Sequence, residues 1–127
     1  MICKFEVLGP PQPKERARAC ANGKHITPKK TRRYERLVGD IARLCCPRGW
    51  PLDGTYRVEV RAYFADRRAR DVDNVAKAVL DGLNRVLWRD DRQVTRIASE
   101  KYVDSARPRI EVQVELLAQV EVQRRRA

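Results

Sequence analysis

The sequence predicts an α+β domain in which a small mixed sheet carries two main helices, in the order β-α-β-α-β-β. Three observations lead there. Residues 2–8, 57–65 and 110–116 alternate apolar and polar side chains, the period of half-buried strands. Residues 31–46 and 72–88 repeat apolar side chains at helical spacing. The two periods interleave along the chain, which favours helices packed on one sheet over separate helical and strand domains.

Each element has local reasons. In the first strand Cys3, Phe5 and Val7 alternate with Lys4 and Glu6, and Gly9-Pro10-Pro11-Gln12-Pro13 ends it because proline supplies no ladder donor. A basic stretch from 14 to 30 lacks clear periodicity but holds Asn22-Gly23, a strong turn signal, so it reads as a small hairpin or a loop. Thr31 to Cys46 places Tyr34, Leu37, Val38, Ile41, Ala42 and Cys45 on a helical stripe, stopped by Pro47 and Gly49. Arg57 to Ala65 is the clearest strand, with Val58, Val60, Ala62 and Phe64 on one side. After the turn Asp66 to Arg70, a second helix is expected from Val72 to Trp88, closed by Asp90-Asp91. Val94 to Val103 reads as a strand, and Ile110, Val112, Val114 and Leu116 define the last one. Residues 118–127 read as a frayed tail, so 1–127 forms one domain.

Composition narrows the function classes. Lys and Arg number 28 against 17 Asp and Glu, a net charge of +11. Such a balance points to a polyanionic partner, because clustered cations gain affinity by releasing counterions from phosphates. No apolar run approaches the ~20 residues a membrane helix needs. Lys4 and Glu6 interrupt the N-terminus too early for a signal-peptide core, so a soluble cytoplasmic protein with no membrane partner is expected. Cys3, Cys20, Cys45 and Cys46 lack the paired spacing of a zinc site and read as core or surface thiols. His25, beside Lys24, has no visible carboxylate partner and is a poor general base. Trp50 and Trp88 read as packing residues, with Trp88, on the polar side of its helix, the better candidate for an interface.

The informative segment is Arg67-Arg68-Ala69-Arg70-Asp71-Val72-Asp73-Asn74. Helix capping accounts for one aspartate at such a position, not two. On the predicted helix Asn74, Lys77, Asp81, Asn84 and Trp88 fall within about 80° of one another, opposite a core stripe of Val75, Val79, Leu83 and Val86. An ordinary solvated face would look the same. Asp90 and Asp91 lie about 25 Å along the helix axis from Asp73 at 1.5 Å per residue. Convergence therefore needs a loop that folds back, an earlier helix end, or a carboxylate from a second protomer. If Asp71, Asp73 and one of Asp90 or Asp91 do meet, hard oxygen ligands without His or Cys select Mg²⁺, with Mn²⁺ as a substitute. A divalent ion would remove the repulsion among the carboxylates, polarise a phosphoryl oxygen and activate water. Lys77, one turn from Asp73, could stabilise developing negative charge.

The stretch from Asp66 to Asn84, DRRARDVDNVAKAVLDGLN, resembles the RusA family of Holliday junction resolvases, endodeoxyribonucleases common in prophages. The shared pattern is a basic run, D-x-D-N (Asp71, Asp73, Asn74), Lys77, Asp81 and the pair Asp90-Asp91. Gly9-Pro10 through Lys14, Arg16 and Arg18, then Ile26 to Thr31 before Tyr34, is similar as well. The resemblance implies a homodimeric, Mg²⁺-dependent enzyme with no organic cofactor. It would resolve four-way or branched DNA by paired nicks, in recombination and repair. It implies Asp71, Asp73 and Asp91 as metal-binding carboxylates, Lys77 as the catalytic lysine, and Asn74, Asp81 and Asp90 as neighbours of the site. Lys14, Arg16, Arg18, Lys24, Lys29, Lys30, Arg32 and Arg33 are then expected to grip phosphates, and Arg67, Arg68 and Arg70 to guide DNA inward, without reading sequence. The alternatives are a non-catalytic nucleic-acid-binding module, such as a degenerate nuclease, and a metal-dependent phosphoesterase for small substrates.

Overall fold

Alternation decides the sheet. The computed structural model describes residues 1–15, 18–19 and 23–119. Strand β1, Ile2–Leu8, buries Cys3, Phe5 and Val7. β2, Arg18–Ala19, and β3, His25–Ile26, make a two-residue antiparallel ladder, so the basic stretch contains the small hairpin. Helix α1 spans Lys29–Cys45, β4 Gly54–Phe64, helix α2 Val72–Leu83, β5 Val94–Val103 and β6 Arg109–Gln119. The four long strands form one sheet in the order β1-β6-β4-β5. β6 is antiparallel to β1 and β4, and β5 runs parallel to β4, so the sheet is mixed as expected.

One face of this sheet holds the core. Cys3, Phe5 and Val7, Val58, Val60 and Ala62, and Ile110, Val112 and Val114 meet Val38 and Ala42 of α1 and Val75, Val79 and Leu83 of α2 in one cluster. Each fully buried valine or leucine contributes about 1.5–3 kcal/mol relative to exposure. Lys4, Glu6, Glu59, Arg61, Glu111 and Gln113 line a shallow groove on the opposite face. The helices touch backbone to backbone: a Cβ on Gly82 would lie 2.7 Å from the Glu35 carbonyl oxygen, and one on Gly39 2.8 Å from that of Gly82.

Several boundaries differ from the sequence expectation. α1 starts at Lys29, two residues before Thr31, directly after Pro28. It ends at Cys45 because Cys46, which precedes Pro47, takes the extended conformation that proline imposes on its predecessor. β4 begins at Gly54 instead of Arg57, since Gly54 and Thr55 continue the ladder to Gln119 and Ala118. Gly54 is required there, because a Cβ would meet the Ala118 carbonyl oxygen of the paired strand at 2.9 Å. β6 correspondingly runs on to Gln119, so residues 118 and 119 belong to the sheet, while the remainder of the expected tail, 120–127, lies outside the described residues.

The largest correction concerns α2, which stops at Leu83 and not at Trp88. Asn84 leaves the helix at φ −57° and ψ 131°, and Arg85 adopts φ 64°. The turn carries Trp88 into the core, where it is fully buried and its indole N–H donates to Asn84 Oδ1 at 2.8 Å. Trp88 is thus a core residue and not an interface candidate. Trp50 also packs, stacked on Tyr56 with ring centroids 5.8 Å apart. Cys3 lies in the core, where burial, with smaller contributions from Cys46 and Cys45, pushes its thiol up to about 12. Cys45 is exposed and Cys20 lies outside the described residues. No helix among the described residues is long and apolar enough to cross a membrane.

Candidate active site

The chain leaves β4 at Phe64 and turns through Asp66–Arg70 into α2. That turn is pinned on three sides. The Asp66 carboxylate accepts from Arg70 Nη1 at 2.7 Å and from the Arg68 backbone N–H at 3.0 Å, and the Arg70 contact holds Asp66 below the usual carboxylate range. The Arg70 guanidinium sits 4.7 Å above the Phe64 ring. Lys101 on β5 donates to the Arg70 carbonyl at 2.9 Å. Arg67 and Arg68 stay exposed.

Asp71 then caps α2. Its Oδ1 accepts from the Asp73 backbone N–H at 2.9 Å and its Oδ2 from the Asn74 amide at 3.4 Å. Capping therefore accounts for Asp71, whereas Asp73, an acidic residue in the first turn, has no side-chain hydrogen bond or ion pair among the described residues, and both are exposed. Asp73 and Lys77 occupy i and i+4, the spacing that puts two side chains on one helical face, and Lys77 is exposed with no ion pair among the described residues. Asp71, Asp73, Asn74 and Lys77 are thus presented together at the exposed start of α2. Asp71, Asp73 and Asn74 offer hard oxygen donors with no His or Cys, a set that fits Mg²⁺ or Mn²⁺. Two carboxylates leave such a set short.

Asp81 is placed elsewhere. Two turns along α2, its carboxylate receives the Lys14 ammonium, which also donates to Glu35 of α1 at 3.1 Å. The Lys14 backbone N–H donates to the Asn74 carbonyl at 2.9 Å. Lys14 thus clamps the segment after β1 along α2, and its charge is committed to two carboxylates instead of being held out to solvent. Lys29, Lys30, Arg32, Arg33 and Arg36 are exposed on α1 and bear no ion pair among the described residues. Arg16 and the side chains of Arg18 and His25 lie outside the described residues.

Asp90 and Asp91 open a single 3₁₀ turn, Asp91–Gln93, before β5. Asp90 is its cap: its carboxylate accepts from the Arg92 N–H at 2.9 Å, which lowers its pKa. Gln93 fastens the turn to the start of β4 through the Leu52 and Gly54 carbonyls at 2.7 and 3.0 Å. The parallel register, Tyr56↔Val94 through Phe64↔Val103, puts this turn beside the start of β4, whereas Asp71 and Asp73 follow its end. At about 3.3 Å per residue the two ends of this register stand roughly 26 Å apart. The earlier end of α2 does not close that gap. Among the described residues no three His, Cys, Asp or Glu side chains are grouped so as to hold a metal ion. One chain brings Asp71, Asp73, Asn74 and Lys77 together, and leaves Asp81, Asp90 and Asp91 apart from them. Sequence reasoning missed Lys101, which steadies the Arg70 carbonyl across 31 residues and carries no local signal.

A βαβ unit that presents acidic and basic side chains together at an exposed helix start, inside a strongly cationic chain, defines a nuclease-like class. A family model described as Endodeoxyribonuclease RusA matches residues 9–115. The chain belongs to the RusA endodeoxyribonuclease family, nucleases that act on Holliday junctions. No curated protein matches it.

Proposed function

We propose that this protein is a divalent-metal-dependent homodimeric endonuclease that resolves four-way DNA junctions by paired phosphodiester hydrolysis, in recombination and repair in the cytoplasm. The observation that carries this reading is the joint exposure of Asp71, Asp73 and Lys77 at the start of α2, beside Arg67 and Arg68, in a chain of net charge +11. Asp71, Asp73 and Asp91 would hold Mg²⁺, which supplies a polarised phosphoryl oxygen and an activated water. Asp91 is favoured over Asp90 because it is the second aspartate of the pair, the one the family resemblance implies as a ligand.

The chain's own residues do the rest. Lys77, held by the helix at a fixed offset from Asp73, places a positive charge where the phosphorane and the leaving oxygen become negative. Asn74 keeps Asp71 oriented through its amide. Arg67 and Arg68 draw the phosphodiester toward the helix start, and the α1 cations Lys29, Lys30, Arg32 and Arg33 hold the flanking backbone. Arg70, engaged with Asp66 and Phe64, shapes the turn instead of reaching for DNA.

The test is incubation with a synthetic four-way junction and with linear duplex, with Mg²⁺ or EDTA. The reading predicts symmetric nicks in the junction with Mg²⁺ only. Asp73→Asn should bind the junction as the wild type does and leave it uncut. Junction binding without cutting under any divalent ion would instead establish a nucleic-acid-binding module.

A further inference from the structure

The geometry points to a nucleotide subsite at the start of α1: the helix N-terminus takes one backbone phosphate of the junction, and the pocket beside it takes the unpaired base of that nucleotide. The subsite rests on the nuclease reading for its choice of DNA as the ligand, and stands apart from the carboxylate site.

The first turn of α1 works against its own electrostatics. A helix N-terminus carries about half a positive charge and favours acidic side chains. α1 has no acidic residue in its first turn and no side-chain cap at Pro28. Lys29, Lys30, Arg32 and Arg33 stand there instead, all exposed and none in an ion pair among the described residues. The first helical bond runs from the Arg32 N–H to the Pro28 carbonyl at 3.1 Å, so the N–H groups of Lys29, Lys30 and Thr31 have no partner among the described residues. One bound phosphate would answer the free N–H groups and the crowded cations together.

A phosphate alone has no use for what lies beside it. Gln12, Lys29, Lys30, Arg33, Tyr34 and Leu37 line an open pocket of about 460 Å³, within the range of small-ligand sites. Lys30, Arg33, Tyr34 and Leu37 share one face of α1, and Gln12, from the segment after β1, closes the other side. Side-chain stems and Leu37, 43% exposed, make the wall largely apolar. Tyr34 is only 7% exposed, and its hydroxyl is the one buried side-chain polar atom without a hydrogen-bond partner among the described residues. Burial pushes its pKa up, and the Gln12 backbone comes near it without completing a bond. The Gln12 amide is likewise unpartnered among the described residues. An unpaired buried hydroxyl costs stability. A flat ring with polar edge atoms, seated between Gln12 and Leu37, would offer partners to the hydroxyl and the amide and cover Leu37. A nucleobase whose phosphate lies on the adjoining helix start is such a ring.

The pocket lies on the path of DNA through the carboxylates. Consecutive N–H groups of Lys14 and Glu15 bond the Asn74 carbonyl of α2 at 2.9 Å and the Thr31 hydroxyl of α1 at 3.3 Å. The two helix starts are therefore no more than about 10 Å apart at these atoms. That span equals about three nucleotides of stacked strand. Strands part at a branch point, where a base leaves its stack at least cost.

The test measures binding of the full chain to four-way junctions in EDTA, so cutting plays no part. Each nucleotide within about three of the crossover is replaced in turn by an abasic residue, which keeps the phosphate and removes the base. At one position the wild type should lose about tenfold in affinity. Leu37→Trp, which fills the pocket, should bind the intact junction about tenfold more weakly and show no further loss at that position. Tyr34→Phe should fold with a thermal midpoint no lower than the wild type and reduce the abasic penalty to about threefold. A wild type indifferent to every abasic position, or a penalty undiminished in Leu37→Trp and Tyr34→Phe, would overturn the subsite. Nicking of the junction in Mg²⁺ with no responsive position would leave the nuclease reading standing without it. A responsive position in a protein that never cuts would refute the nuclease reading and leave the subsite standing.

Discussion

Lys14 donates to the Asp81 carboxylate, tying the segment that follows β1 to the helix bearing the candidate catalytic residues. Glu35 of α1 accepts from the same ammonium at 3.1 Å, so one charge joins three parts of the chain. All three side chains are largely shielded from water. Lys14→Met, which keeps the length and removes the charge, should cost about 1–2 kcal/mol of stability. Burial pulls the Lys14 pKa down, but the hydrogen bonds to Asp81 and Glu35 outweigh it and the net shift is upward. A raised lysine pKa stabilises fully below the unfolded value of about 10.4 and ceases to do so as pH climbs through the folded value. Chemical denaturation of both proteins should therefore show a constant gap from about pH 7 to 9.5 that closes above about pH 10.5.

The same pairing separates Lys14 from the cations proposed to grip phosphates. Each phosphate contact adds about 0.9 to the slope of log affinity against log salt. Lys29→Gln combined with Lys30→Gln should reduce that slope for junction binding by roughly 1–2, and Lys14→Gln should leave it unchanged. Titrations of labelled junction between about 50 and 200 mM salt would measure both.

The contact between Gly39 and Gly82 makes the helix packing intolerant of a methyl group. Alanine normally gains about 1 kcal/mol over glycine inside a helix. At Gly82 the added Cβ would strike the Glu35 carbonyl oxygen at 2.7 Å and its Cα at 3.2 Å, atoms that move only with α1 itself. Overpacking of this kind costs about 1–3 kcal/mol and here exceeds the propensity gain. Gly82→Ala should lower the thermal midpoint by several degrees, as calorimetry can measure.

Asp71 has both a structural and a proposed chemical role, and two substitutions separate them. Asn is as good an N-cap as Asp, so Asp71→Asn should fold with wild-type stability yet lose cutting at least about 100-fold. Asp71→Ala should lose cutting equally and about 1 kcal/mol of stability as well. Equal cutting by the wild type and Asp71→Asn would confine Asp71 to capping.

The strands and the start of the site helix were legible because their causes are local. The alternation through Val58, Val60 and Ala62 is a period-2 signal, and Asp71 before Val72 is a cap signal. The end of α2 was not legible, because the wheel can be continued past Asn84 without penalty. What ends the helix is the gain from burying Trp88, a tertiary effect. The pairing of Lys14 with Asp81 spans 67 residues, and no property of either neighbourhood announces it. The position of Asp91 depends on how β5 registers against β4, which a linear reading replaces with a helical rise.

The central claim is that Asp91, beside the opposite end of β4 from Asp73, works in the same site. Single-turnover cleavage of a four-way junction by Asp91→Asn, alongside its junction affinity, tests this most directly. Cutting should fall as far as in Asp73→Asn, at least about 100-fold, with affinity within about threefold of the wild type. Wild-type cutting by Asp91→Asn would contradict the claim.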